Sequence, residues 1–402
     1  MVQSLDTKEK KQQLFFCYSA FLINGLLALS IGSLLPFLKE ARGLSYAFSG
    51  LIVSLHSVGN LIASFTAGIL SVTLGRKKGI LLFESFFATA FLLIIFGKAP
   101  VFLAIAFLFT GLARGAASNF NNTVINDLAP GQAWIINGLH AMFSIGAFLF
   151  PLLLTAFTAK TSDNWIMACF FMFAMGILCW FLYFLIPVDP MEAGRKKEEK
   201  KKGGTQKKTG YGFFAEPIFW LCTLVLFFYL CAEQGVIGWM ITYFKDSGYL
   251  SASLSQIMAS VLWIMILFGR LAVAWLSTKI KKENLLVFMG IGFVFFFFLL
   301  LFSRSTGMIV LGIMGFGFSM AGIYPTTVSF AGTLIQKYAL SWSFILTLAS
   351  MGSIIMPSII GRIAEHLGIG YGMSSVAVVV LIDLLLILGL KGFCKKGFAN
   401  VG

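Results

Sequence analysis

The stretch Gly146-Ala147-Phe148-Leu149-Phe150-Pro151 has a counterpart in Gly352-Ser353-Ile354-Ile355-Met356-Pro357, with the same glycine and proline at the same spacing, 206 residues further on. The same separation relates Gly111 to Gly317 and Leu70-Ser71 to Leu276-Ser277. One match means little in a chain with 41 glycines, but one offset shared by three separate apolar segments marks an internal duplication. Working outward, each half carries six apolar runs, near 13–37, 47–71, 79–97, 101–125, 133–158 and 165–187, then 215–243, 254–277, 284–303, 307–334, 341–367 and 372–391. Each approaches or exceeds the roughly 20 residues that cross a hydrocarbon core. The chain therefore reads as an all-α membrane protein of twelve transmembrane helices in two pseudo-symmetric six-helix bundles. Parallel repeats of this kind build alternating-access transporters, with the cargo site between them near the midplane.

Composition agrees. Of 402 residues, 58% are hydrophobic and 11% charged, and the mean hydropathy is +0.91. A soluble chain of this composition would expose apolar patches far beyond what water tolerates, so its solvent is the lipid bilayer. The formal charge of +14 suggests nucleic acid only until the charges are placed. With the N-terminus inside, 21 of the 30 Lys and Arg fall on the terminal side, 6 on the other and 3 within spans. This is the positive-inside distribution of a multi-pass protein of the cytoplasmic membrane with both termini cytoplasmic; no nucleic-acid partner is expected. The first apolar run is too long for a signal peptide and a second span follows at once. Six cysteines at no metal-ligand spacing read as free thiols.

Between the repeats, residues 191–212 form a basic, polar run with no apolar periodicity, a linker or a contact for anionic lipid. It divides the chain into an N-bundle (1–190) and a C-bundle (213–402). The run Phe295-Phe296-Phe297-Phe298 reads as lipid contact, and Gly315, Gly317 and Gly322 as close helix packing rather than a dinucleotide loop.

Span 2 closes through Gly68-Ile69-Leu70-Ser71-Val72-Thr73-Leu74-Gly75-Arg76-Lys77-Lys78, echoed at Leu276-Ser277-Thr278-Lys279-Ile280-Lys281-Lys282. This resembles the loop signature of the major facilitator superfamily, and the resemblance implies that Gly68, Gly75, Arg76 and Lys77 form a cytoplasmic gate loop. The usual acid is replaced by Val72 and Thr278, which removes one member of the family's gate network. Further stretches resemble the fucose/glucose-type sugar permease group: Gly111-Leu112 through Asn121-Asn122-Thr123, Ile136-Asn137-Gly138-Leu139-His140 through Pro151, Tyr229 through Glu233 to Trp239 and Tyr243, and Gly322-Ile323-Tyr324-Pro325-Thr326. Symporters of that group place coupling acids in spans 1 and 4. Here span 1 has no acid, and Ser118 stands where the span 4 acid would be.

Charges inside the membrane are costly and functional by default. Arg114 (span 4) and Glu233 (span 7) are the strongest: Arg114 is expected to grip an anionic or hydroxyl group and Glu233 to balance it or carry a proton, with a structural ion pair as the plain alternative. His140 is an accessory proton carrier or a packing residue. Asn121, Asn122 and Asn137 offer paired donors and acceptors to a polyhydroxylated solute, or to neighbouring helices; Trp239, Tyr243 and Tyr324 offer rings against which a sugar face packs. Glu84 and Arg270, near the cytoplasmic ends of their spans, are expected to pair with loop residues or snorkel, and Arg362 with Glu365 to form a local pair. Asp383, deeper in span 12, is a candidate of lower rank.

Three histidines, none at ligand spacing to another, and the lack of a phosphate loop exclude enzyme chemistry, cofactor and metal from the reading. The expected function is secondary transport of a small polar solute, a sugar or sugar derivative, with protons as the candidate coupling ion and the monomer as the working unit. An organic-anion carrier using Arg114 is the alternative; a drug exporter or a non-transporting sensor ranks below both.

Overall fold

The computed structural model describes residues 8–129, 132–186, 210–338 and 340–399, so nearly all of the expected linker at 191–212 lies outside the described residues. Among the described residues, twelve helices are long and apolar enough to cross a membrane: Lys8–Arg42, Tyr46–Ala67, Thr73–Phe96, Pro100–Leu128, Ile135–Thr158, Ser162–Leu185, Pro217–Asp246, Ala252–Leu276, Lys282–Phe302, Thr306–Phe330, Ser341–Leu367 and Ile369–Cys394, numbered 1 to 12 below. In lipid every backbone polar group must be satisfied within the chain, which a helix does by itself. The first helix is already formed at Lys8, the first described residue, and it ends five residues beyond the apolar run, at Arg42.

Two compact units are present, one of Met1–Leu38 and Leu51–Gly204, the other of Lys39–Gly50 and Thr205–Gly402. The paired glycines make equivalent contacts in each. A Cβ on Gly111 would lie 1.9 Å from the His56 carbonyl oxygen, and one on Gly317 would lie 2.7 Å from that of Leu262. Likewise Gly146 rests on the Leu22 carbonyl and Gly352 on that of Phe227. Small residues let span 4 meet span 2, span 10 meet span 8, and spans 5 and 11 meet spans 1 and 7 backbone to backbone, which is how helices associate where lipid removes the hydrophobic drive.

Within the second unit, segment 39–50 is tied to the ends of spans 7 and 11. Lys39 Nζ lies 2.9 Å from Asp246 Oδ2, the Tyr46 hydroxyl donates to the same oxygen at 2.7 Å, and Lys245 pairs with Glu40 at 2.5 Å. Glu365 Oε2 accepts the Ala47 N–H at 3.2 Å, so it serves this segment where the sequence predicts a pair with Arg362.

Span 10 is not continuous. It runs as Thr306–Met320 and Ile323–Phe330 with a turn between. Pro325 has no N–H to offer the Ala321 carbonyl, and its ring crowds that turn. Elsewhere Gly315 admits the Phe296 ring, as close packing predicts; of the phenylalanine run read as lipid contact, Phe295 is exposed but Phe297 is buried, because it faces Phe316 of span 10.

Candidate functional site

In the first unit the site is built on the Gly111 contact. Because span 4 touches span 2 at His56, Thr110 and Arg114, one helical turn apart, flank the imidazole. The Thr110 hydroxyl donates to the Phe107 carbonyl at 2.6 Å, and His56 Nδ1 lies 2.9 Å from Thr110 Oγ1. With the threonine proton committed, the imidazole must donate from Nδ1, which leaves Nε2 as an acceptor. Arg114 NH1 donates to it at 3.3 Å. His56 is therefore a neutral acceptor that orients the guanidinium. Arg114 also lies 5.8 Å from the centre of the Phe143 ring, within cation–π range. Phe143 packs on Phe21 at 5.4 Å, and Phe21 meets His140 edge-on at 5.7 Å. Arg114 and His140 thus belong to one chain of contacts through two phenylalanines.

In the second unit the Tyr229 hydroxyl donates to Glu233 Oε1 at 2.9 Å, an i,i+4 bond on span 7. The Tyr324 ring lies 6.2 Å from that of Tyr229, just past the break in span 10. Arg270 of span 8 lies close enough to act electrostatically on Tyr229. Glu233 and Tyr324 are half-buried and Arg270 is exposed, so carboxylate, phenols and guanidinium form a mixed donor and acceptor cluster.

The remaining candidates take other places. Asn121 is fully buried; its Nδ2 donates to the Tyr183 hydroxyl at 2.5 Å and the Ala117 carbonyl at 2.9 Å, an interhelical bond to span 6. Asn122 donates to Ser118 O at 2.8 Å along its own helix, and Asn137 is exposed. Trp239 is fully buried with its indole N–H on the Pro357 carbonyl at 3.1 Å. The Tyr243 hydroxyl reaches Leu301 O at 3.4 Å. These bonds commit Asn121 and Trp239 to packing.

In the loop after span 2 the helix opens into a π turn, Ser71–Gly75, closed by Gly75 at φ +84°, a conformation only glycine adopts freely. Arg76 pairs with Asp127 of span 4 at 2.8 Å, and Lys77 donates to the Phe184 and Ile186 carbonyls that end span 6. Gly68 lies one turn upstream in the same helix. Asp127 is thus the acid that Arg76 uses although Val72 has replaced the loop's own.

Sequence reasoning gave no role to His56 and Thr110, and expected Arg270 to pair with a loop residue or snorkel. His56 carried a signal all the same: it stands 206 residues before Leu262, the residue that Gly317 touches.

The sequence profile of the Major Facilitator Superfamily matches residues 17–357. A glucose/mannose transporter from Bacillus subtilis (strain 168) is 22% identical over 358 residues, covering 86% of each chain. A gallate transporter from Pseudomonas putida is 25% identical over 390 residues, 89% of this chain and 86% of the relative. The crystal structure of a D-xylose-proton symporter superposes with a TM-score of 0.75 at 14% identity over 94% of this chain and 97% of the other, a likeness of fold.

Proposed function

The chain belongs to the Major Facilitator Superfamily and is a multi-pass membrane transporter, and from that premise we propose that it carries a small polyhydroxylated solute, a sugar or sugar derivative, through the cytoplasmic membrane with both termini inside. The observation that carries this reading is the Glu233–Tyr229–Tyr324 cluster at the break in span 10. A half-buried carboxylate accepts hydrogen bonds from hydroxyls, the buried Tyr229 phenol holds that carboxylate, and the half-buried Tyr324 ring offers a face to the apolar side of a pyranose. The sugar-carrying relative supports the same class. In this reading two six-helix bundles, joined by the linker at 191–212, alternate as a monomer, and Glu233 with His140 as accessory carries any coupled proton.

Arg114 favours a second reading. A guanidinium held on a neutral imidazole and an aromatic face is suited to a carboxylate. The gallate-carrying relative is consistent with it. Thermal-shift titration of the purified protein with neutral sugars, sugar acids and aromatic carboxylates separates the two, since a ligand at 100 times its Kd stabilises the folded state by about 2.7 kcal/mol. Stabilisation by neutral sugars supports the first reading; stabilisation by acids alone, lost in Arg114→Gln, replaces it with the second.

A further inference from the structure

Apart from the Arg114 and Glu233 clusters, the first unit buries a carboxyl that neither uses. Glu84 of span 3 is 1% exposed, and neither of its oxygens has a hydrogen-bond partner among the described residues. It is neither at a loop nor extended to the interface, contrary to the expectation from its position near the span's end. Two fully buried side chains of span 6 share its pocket, the Cys179 thiol beside the carboxyl and the Tyr183 phenol within its field. Cys17 of span 1 also acts on Tyr183 and completes the titratable neighbours. From span 4 comes Asn121, whose amide donates to the Tyr183 oxygen and whose own Oδ1 is another buried acceptor without a donor among the described residues. Among the described residues no Lys, Arg or His forms an ion pair or hydrogen bond with Glu84.

The two Glu84 oxygens are thus buried with no hydrogen-bond partner among the described residues, and the missing component is positive. A bare carboxylate sealed from water without a cation costs far more than an acid that keeps its proton. We propose that Glu84 is a proton-binding site within the first unit, separate from the Arg114–His56 pair and independent of which solute is carried. The Tyr183 oxygen accepts from Asn121 and the Cys179 S–H donates to the Ala20 carbonyl at 3.8 Å, so neither group completes a hydrogen bond to the carboxyl.

The test is infrared difference spectroscopy of the full-length protein in lipid, titrated from neutral to alkaline pH, with melting temperatures measured in parallel. The expected result is a protonated-carboxyl carbonyl band at neutral pH that is missing in Glu84→Gln and shifted in Tyr183→Phe; any band from the buried Asp383 persists in both. Wild type should lose melting temperature on the alkaline side more steeply than Glu84→Gln, because only wild type must bury a charge. The proposal is overturned if Glu84→Gln removes no band, or if the two melt in parallel. It also falls if sodium chloride, but not choline chloride, raises the melting temperature of wild type alone, which would make this a sodium site. Failure of Glu84→Gln to fold where Glu84→Asp folds would show that the charge is required, and would sink it too.

Discussion

Arg114 donates to His56 Nε2 at 3.3 Å because Thr110, one turn before it, has already fixed the proton on the other ring nitrogen. Donation runs from guanidinium to imidazole to hydroxyl and ends on the Phe107 carbonyl, so this relay helps to orient an intramembrane cation that also lies over the Phe143 ring. His56→Leu should keep the fold, since Leu262 occupies the equivalent place against Gly317, but release Arg114. If the cargo is anionic, Arg114→Gln should weaken its binding roughly ten- to hundred-fold, the worth of about 1.5–3 kcal/mol for a hydrogen bond to a charged group. His56→Leu should weaken it less. Binding isotherms for the two variants, beside unchanged melting curves for His56→Leu, would check this; equal losses in both would mean the imidazole itself touches the cargo.

The Tyr229 hydroxyl donates to Glu233, and in the proposed reading the first positions what the second carries as charge. Glu233→Gln is expected to abolish proton-driven accumulation in proteoliposomes while substrate exchange without a gradient continues. Tyr229→Phe removes one hydrogen bond, worth about 0.5–1.5 kcal/mol, and should lower affinity by up to about tenfold with coupling intact. Counterflow measured beside gradient-driven uptake distinguishes them. If Glu233→Gln still accumulates solute against a proton gradient, the proton travels elsewhere.

The repeated glycines are where the fold was most legible and where substitution should hurt most. Gly111→Ala and Gly146→Ala would each drive a methyl to 1.9 Å from a backbone carbonyl, and backbone cannot swing aside as a side chain can. Each should cost about 1–3 kcal/mol or more and lower the melting temperature in detergent. Gly307→Ala, with nothing within 4 Å, is the control and should stay within about 0.5 kcal/mol. A tolerant Gly111→Ala would mean that spans 2 and 4 separate readily.

These glycines could be read without coordinates because close helix approach demands one residue type, and a duplication repeats the demand at a fixed distance. The same demand reached His56 only through its partner: a lone histidine has no periodicity, and its role comes from Thr110 and Arg114 closing on it across span 4. Asn121 was misleading for the opposite reason. An amide beside Asn122 looks like a solute ligand, yet neighbouring residues on a helix point about 100° apart, and Asn121 faces Tyr183. The break in span 10 was written in Pro325, but a long apolar run concealed it. Glu84 shows that distance along a helix from its end does not measure burial: the closeness of spans 4 and 6 does.

Arg76 and Asp127 test whether the loop after span 2 has rebuilt its network with a different acid. Their 2.8 Å pair is only 19% and 17% exposed at the side chains, so it is less screened than an open surface bridge, though still of modest worth. Arg76→Asp and Asp127→Arg should each destabilise and slow transport. The double exchange should recover part of both, with a coupling of about 0.5–1 kcal/mol. A thermodynamic cycle on melting temperature, run beside one on uptake rate, gives two numbers to compare. Coupling in stability alone would make the pair a brace for the end of span 4. Coupling in rate as well would mean that Asp127 has taken over the work of the acid that Val72 replaced, and that the π turn at Ser71–Gly75 is the hinge through which Arg76 transmits it.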